Sequence, residues 1–253
     1  FIGDGLRERM VRWAKAALYR RAFAACDVVL FQNSHDLADL NVCGAVTPLI
    51  RPRVQMVPGS GVDLQAFPAV PVPAGAHFLM IARPLREKGL AEYFEASRRV
   101  SREVPDATFT WLGPLHDPNP SALNAATLRA WLREGVVRHV PEQVDVRPWL
   151  SSCSVFVLPS HREGTSKVVL EAMATGRAII TTDAPGCAHL VAAGEGEAVP
   201  VGDVAALADS MIRLARDAHK REQAAHAARR AVEQRYSASL VDSTILKALT
   251  EGR

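Results

Sequence analysis

The sequence predicts an α/β protein built on a mostly parallel sheet with helices on both faces, preceded by a smaller α/β segment. Three observations carry this. The runs "HFLMIA", "TFTWLG", "SVFVLP" and "AIITT" are largely apolar rather than alternating, the pattern of strands buried on both faces. They alternate with helical stretches, the order of strand-helix-strand units. Proline and glycine gather in "GSGVDLQAFPAVPVPAGA", residues 59–76, which lacks periodicity and reads as an interdomain linker. The expected organisation is the end of a first domain over 1–58, the linker over 59–76, a complete domain over 77–235, and a terminal helix over 236–253 that can pack back on the first domain.

In order, residues 6–25 repeat at helical period, with Leu6, Met10, Trp13 and Ala17 on one face and Arg9, Arg12, Lys15 and Arg20 on the other. Arg7, Arg9, Arg12, Lys15, Arg20 and Arg21 against Glu8 give this helix +5, more than the +3 of the whole chain. It is either a surface helix packed on a core with a solvated basic face, or a helix touching anionic lipid headgroups. "DVVLFQN" and "VQMVPG" read as strands with a short helix near 34–43 between them. After the linker come strand "HFLMIA", a helix over 87–103, strand "TFTWLG", a helix over 121–135 with Ser121 as its N-cap, and strand "SVFVLP". A helix from about 166 to 175, strand "AIITT", a short helix near 187–192, strand "EAVPV", helices over 203–235 and a terminal helix complete the pattern.

Composition narrows the function. At 253 residues the chain holds one domain of about 100–200 residues and a remainder. Apolar residues are 48% and charged residues 23%, as in ordinary globular proteins. A net charge of +3 gives no case for a nucleic-acid partner. No apolar run reaches the roughly 18 residues of a membrane span. Cys26, Cys43, Cys153 and Cys187 form no CxxC pair, which favours reduced thiols over disulfides or zinc. GxGxxG, GxxxxGK[ST] and HExxH are all missing, so the usual dinucleotide fingerprint, a P-loop and a zincin site are unsupported. The opening "FIGDGLRERM" reads like the middle of a protein, so a fragment is expected.

In parallel sheets ligands bind at the carboxyl ends of strands. After "HFLMIA" the chain reads "RPLREKG", placing Arg83 and Lys88 where the next helix begins. Two cations beside free helix N–H groups suit a diphosphate, although both can equally be solvated loop charges. "PLHDPNPSALN", after the next strand, reads as a rigid exposed loop with no chemistry assigned. After "SVFVLP" comes "SHREGTSKVVLEAMATG". Gly164 allows close approach of backbone to a ligand, and the N–H groups of Thr165, Ser166 and Lys167 are expected in the first helical turn. Glu171 lies on a helix that is apolar nearly all round and so needs a partner. Lys167 one turn back, or a vicinal diol such as ribose, would serve. Glu163 precedes the helix, either poised over the cleft or acting as a cap. His161 is the histidine nearest this place and reads as a surface or supporting residue.

These residues carry a resemblance. "REGTSKVVLEAMATGRAIITTDAPGC" resembles the E-x7-E signature of the family-4 retaining glycosyltransferases, which have the GT-B fold of two Rossmann-like domains. "MVPGSGVDLQAF", "ARPLREKGL" and "VDVRPWLSSCSVFVLPS" follow the same family order, so the likeness runs from about residue 26 to the C-terminus. It is similar to bacterial transferases of capsule, O-antigen and lipid-linked oligosaccharide synthesis. The resemblance implies a nucleotide-diphosphate-sugar donor, a UDP-sugar, and a glycan or polyprenyl-linked acceptor. It assigns Arg83 and Lys88 to the diphosphate, Glu163 to the transferred sugar, Gly164, Thr165 and Ser166 to sugar and phosphate, and Glu171 to the ribose. No metal and no other cofactor is implied. A cytoplasmic place, peripheral on the inner face of the membrane through residues 6–25, follows from the same likeness. It also implies that the acceptor domain, with a glycine-rich loop and a histidine, precedes residue 1, and that this chain keeps only that domain's last elements. "VVRHVPEQVDVRP" lacks the family's glycine before the acidic turn near the base. The alternatives are a nucleotide-sugar-binding subunit of a split transferase, inactive alone, and a nucleotide-sugar epimerase of the same fold.

Overall fold

The computed structural model describes residues 6–251. The first part of the chain contains α1 (Leu6–Ala24), β1 (Val29–Phe31), α2 (Ser34–Val42) and β2 (Val54–Met56). The two strands pair in parallel with Val29 opposite Val54. Val29, Phe31, Val46 and Ile50 form a small core with Phe23, Leu37, Leu40 and Val54 packed on it. Among the described side chains of α1, Phe23 reaches this core, edge-on to Phe31 at 6.1 Å between ring centres. On the helix face expected to pack inward, Met10 is 64% and Trp13 72% exposed, while Ala17 is half-buried. The side chains of Leu6, Arg7, Glu8 and Arg12, invoked in that reading, lie outside the described ones, as do residues 1–5, 252 and 253.

The second part is the α/β layer expected. It runs β3 (His77–Ile81), α3 (Leu90–Glu103), β4 (Thr108–Leu112), α4 (Ala125–Arg133), β5 (Val137–Val140), α5 (Arg147–Ser152), β6 (Val155–Leu158), α6 (Lys167–Ala174), β7 (Ala178–Thr182), β8 (Gly196–Val199), α7 (Val204–Arg216), α8 (Ala218–Arg235) and α9 (Ala238–Glu251). The six strands lie in the order β5-β4-β3-β6-β7-β8, every pair parallel. Right-handed crossovers put α3 and α6 on opposite faces, because the chain grows outward in one direction from β3 and in the other from β6. In keeping with that, α3 packs on α7 and α6 on α8. Phe78, Leu79, Met80, Phe156, Val157, Ile179 and Ile180 are fully buried, and Phe78 stacks on Phe109 at 5.5 Å.

Three local departures from the sequence reading have physical causes. Strand β5, "VRHV", and the short α5 were not expected. Arg138 and His139 interrupt the apolar run because β5 is an edge strand with a wet side, and Pro148 sits at the first helical positions of α5. Helix α4 starts later than expected, capped by Asn124 accepting from the Ala126 N–H. Ser121 is not the cap, since its hydroxyl donates to Glu87 and to Asn119.

The proline-rich stretch is held in place rather than loose. The fully buried Arg177 donates from Nη1 to the Cys153 carbonyl at 2.8 Å and from Nη2 to the carbonyls of Val70 and Pro71 at 2.5 and 3.1 Å. Burial pulls its pKa below the usual arginine value. Arg229 adds a bond to the Phe67 carbonyl. The start of α9 is tied to the same stretch, Ala238 N–H donating to the Val62 carbonyl at 2.9 Å. Arg177→Ala strands several buried carbonyls, so it is expected to lower unfolding free energy by about 3 kcal/mol in urea titrations. Unchanged stability would remove Arg177 as the clamp.

Candidate active site

The strand order reverses between β3 and β6, and a crevice opens beyond their carboxyl ends. The loops that follow these two strands carry the predicted site residues. Beyond β3 the chain turns at Pro84, the Leu85 N–H donating to the Arg83 carbonyl at 2.8 Å. A 3₁₀ turn, Arg86–Lys88, then leads into α3 through Gly89 in the left-handed region at φ 72°. A Cβ on Gly89 would lie 2.0 Å from the Pro159 carbonyl oxygen, so a glycine lets the two loops touch. That contact brings Lys88 Nζ within 2.6 Å of Glu163 Oε1, both side chains largely buried.

Glu163 is fixed from three sides. Ser160, fully buried, donates its hydroxyl to Glu163 Oε1 at 2.6 Å, and its own carbonyl accepts from the Thr182 hydroxyl. The Glu163 N–H donates to the Pro185 carbonyl at 3.0 Å. Gly186 passes so close beneath that an added Cβ would sit 1.9 Å from the Glu163 carbonyl oxygen. The loops after β3, β6 and β7 thus converge on one carboxylate and one ammonium.

The other predicted residues divide. Arg83 does not meet this pair. It points across the crevice mouth, with Nη1 3.4 Å from Asp117 Oδ2 and the side chain about half exposed. Helix α6 begins at Lys167 with Ser166 as its N-cap and no side-chain cap. Of the three N–H groups placed in the first turn, only that of Lys167 belongs there. Thr165 lies against Gly59, its hydroxyl oxygen buried without a partner. Gly164 faces Gln32 and accepts a bond from Asn33 Nδ2 at 3.2 Å. Arg162 reaches Asp36 and Asp39 of α2 at 2.5 and 2.7 Å, so the first part of the chain touches the glutamate loop.

Glu171 is largely buried, and its ion-pair partner among the described residues is Lys167, 4.0 Å away and mostly in solvent. Burial pushes the Glu171 carboxyl above its ordinary range and Lys167 lowers it only in part. His161 supports the loop from behind: its Nε2 is 2.7 Å from Glu92 and its N–H donates to the Glu87 carbonyl. The sequence reading missed Ser160, Asp117 and Gly186. The position of Ser160 two residues past a buried strand was an available signal; the other two have partners far off in sequence.

Among the described residues no cluster of three or more His, Cys, Asp or Glu side chains is placed to hold a metal ion. The four cysteines are free. Two surface hollows of about 670 and 780 Å³, one lined by His77, Phe109 and Val137 and the other by Glu197, Arg213 and Lys220, lie elsewhere, near the amino ends of the strands.

Comparison with known proteins decides the family. The family model of the group 1 glycosyl transferases matches residues 75–217, more than half of the chain and the whole of the crevice-forming strands. The chain belongs to the group 1 glycosyl transferases. Among relatives of this group 1 chain, the N,N'-diacetylbacillosaminyl-diphospho-undecaprenol alpha-1,3-N-acetylgalactosaminyltransferase of Campylobacter jejuni is 28% identical over 205 residues, 76% of this chain and 51% of the relative. The capsular polysaccharide biosynthesis glycosyltransferase CapM of Staphylococcus aureus is 29% identical over 64% of this chain and 42% of its own length. The chain therefore spans about half the length of the curated relatives it matches. Anabaena HepE in complex with UDP and glucose superposes with a TM-score of 0.77 at 17% identity, covering 94% of this chain and 67% of that one. At such identity the likeness speaks for the fold, the Rossmann-like half of the GT-B arrangement.

Because the folded-state pKa of Glu171 is raised, the folded protein holds this proton more tightly than the unfolded chain. The contribution to stability is present below the ordinary glutamate value and lost as pH rises through the folded value. An ionised carboxylate can accept with both oxygens, so any hydroxyl-bearing ligand held by Glu171 is expected to lose affinity on acidification in a step above the usual glutamate range. Calorimetric titrations across pH should show that step in the parent and not in Glu171→Gln.

Proposed function

We propose that the chain is the donor-binding part of a retaining glycosyltransferase that moves a sugar from a nucleoside-diphosphate sugar, a UDP-sugar, to a glycan or lipid-linked acceptor in cell-envelope polysaccharide synthesis. The observation that carries the reading is the Lys88–Glu163 pair, 2.6 Å apart at the point where the strand order reverses. An ammonium has three donors. Lys88 can hold Glu163 with one and present the others to a diphosphate in the crevice.

The chemistry follows from charge. As the bond between the anomeric carbon and the diphosphate oxygen breaks, negative charge grows on the leaving phosphate. Lys88, with Arg83 at the mouth, is preorganised to stabilise it. This pair of cations takes the part a metal ion plays elsewhere. Glu163, held by Ser160 and Lys88, has a lone pair for hydroxyls of the transferred sugar, and Glu171 for those of the ribose. With the carboxylates so engaged, retention comes from attack on the same face, the departing phosphate accepting the acceptor's proton.

A lipid-linked acceptor, such as the C. jejuni relative's name describes, would be met at a membrane. Helix α1 has the features for that: exposed Met10, Trp13 and Leu18 on a helix that also carries Arg9, Lys15 and Arg21. No helix among the described residues is long and apolar enough to cross a bilayer, so contact would be peripheral, at the anionic inner face of the cytoplasmic membrane.

UDP, GDP, ADP and their glucose conjugates, each at 100 times its dissociation constant, stabilise a binder by about 2.7 kcal/mol. Thermal unfolding should respond to one of these bases, with Lys88→Ala weakening the response and Glu163→Ala removing only the increment due to the sugar. In transfer assays Lys88→Ala should slow turnover by about 10²-fold or more. A chain that responds to no nucleotide would contradict the assignment. Sedimentation with vesicles should show binding to anionic lipid that fades as salt rises and weakens in Trp13→Ala. Equal binding to neutral vesicles would contradict the membrane contact.

A further inference from the structure

The loop between β4 and α4, residues 113–124, carries no chemical motif in the sequence. In the fold it lies on the turn that carries the two cations. The Arg86 N–H donates to the Ser121 carbonyl at 3.1 Å and the Leu123 N–H to the Pro84 carbonyl at 2.7 Å. Leu85 and Ala122 form an antiparallel bridge. The Ser121 hydroxyl donates to Glu87 Oε1 at 2.9 Å. The loop is itself braced by side chains: Asp117 Oδ1 accepts from the Asn119 N–H at 2.9 Å and Asn119 Oδ1 from the Ser121 N–H at 2.9 Å. At its apex Asp117, with a buried side chain, presents Oδ2 to Arg83 Nη1.

We infer that Asp117 is a positioning residue for the donor diphosphate, acting through Arg83. This rests on the reading of the crevice as a nucleoside-diphosphate site. A guanidinium on a flexible stem half in solvent samples many orientations, and holding it in one costs side-chain entropy at each binding event. A buried carboxylate on a braced loop meets that cost before the ligand arrives. The fork of an arginine has five donors, so engaging Nη1 leaves the others for phosphate oxygens. Asp117 touches neither ligand nor reacting atoms in this scheme. It also carries a negative charge close to an anion site, which only the intervening guanidinium makes tolerable. In the absence of Arg83 the same carboxylate should repel the diphosphate.

The test is a double-mutant cycle read by calorimetric titration of UDP, GDP and ADP, with the matching nucleosides as controls. Asp117→Ala is expected to weaken binding of the preferred diphosphate several-fold while leaving nucleoside affinity unchanged. Arg83→Ala weakens it as well. In the Arg83→Ala background, removing Asp117 should cost nothing further and should recover some affinity. Asp117→Asn keeps an acceptor for the Asn119 N–H and so guards against a collapsed loop; it should show the same non-additivity with an unchanged melting temperature. Costs that add independently, or a loss of nucleoside binding equal to that of diphosphate, would overturn the positioning role alone. Failure of the unsubstituted chain to bind any of the three diphosphates would overturn the donor-site reading and this inference with it.

Discussion

Strands β3 and β6 lie side by side, although the chain travels out to β5 at the sheet edge and back between them. Because their following helices go to opposite faces, the loops leaving the two strands part at the carboxyl edge. The site depends on this constraint. The loop leaving β3 supplies Lys88 and Arg83, the loop leaving β6 supplies Ser160 and Glu163, and the neighbouring loops from β4 and β7 brace them through Asp117 and Gly186. The core ties α3 to the strands beneath: Tyr93 of α3, fully buried, donates its hydroxyl to the carbonyls of Phe78 and Thr110.

Charge in the crevice is arranged in pairs that a ligand can share. A buried ion pair contributes little net stability, since desolvation offsets most of the attraction. The Lys88–Glu163 pair is therefore poor evidence for a stabilising role and better understood as a site kept ready. Glu171 follows the same logic more sharply: a buried carboxylate with a distant, exposed lysine is under-compensated, and a hydroxyl-bearing ligand would relieve it. In Arg177 the opposite case appears, a buried cation that faces several backbone carbonyls and serves the architecture rather than the ligand.

Much of the fold was legible because fully buried parallel strands leave continuous apolar runs, as in Phe78 to Ile81 and Val155 to Leu158. Legibility failed where burial is one-sided. Arg138 and His139 disguise edge strand β5, and the periodicity of α1 forecasts a packed face that the small first core does not reach. Within the site, the seven residues between Glu163 and Glu171 could be counted in the sequence, and helix geometry alone places Lys167 one turn from Glu171. The Arg83–Asp117 contact spans 34 residues between two loops, and Gly186 lies under Glu163 only because β6 and β7 are neighbours. No local pattern encodes either.

The proposed donor site places a diphosphate at the reversal point between β3 and β6. A crystal structure of the chain soaked with UDP-glucose tests it most directly. A phosphate oxygen is expected within hydrogen-bond distance of Lys88 Nζ, with glucose hydroxyls on the Glu163 carboxylate and ribose hydroxyls on Glu171. A nucleotide bound elsewhere, with the Lys88–Glu163 pair intact and untouched, would contradict it.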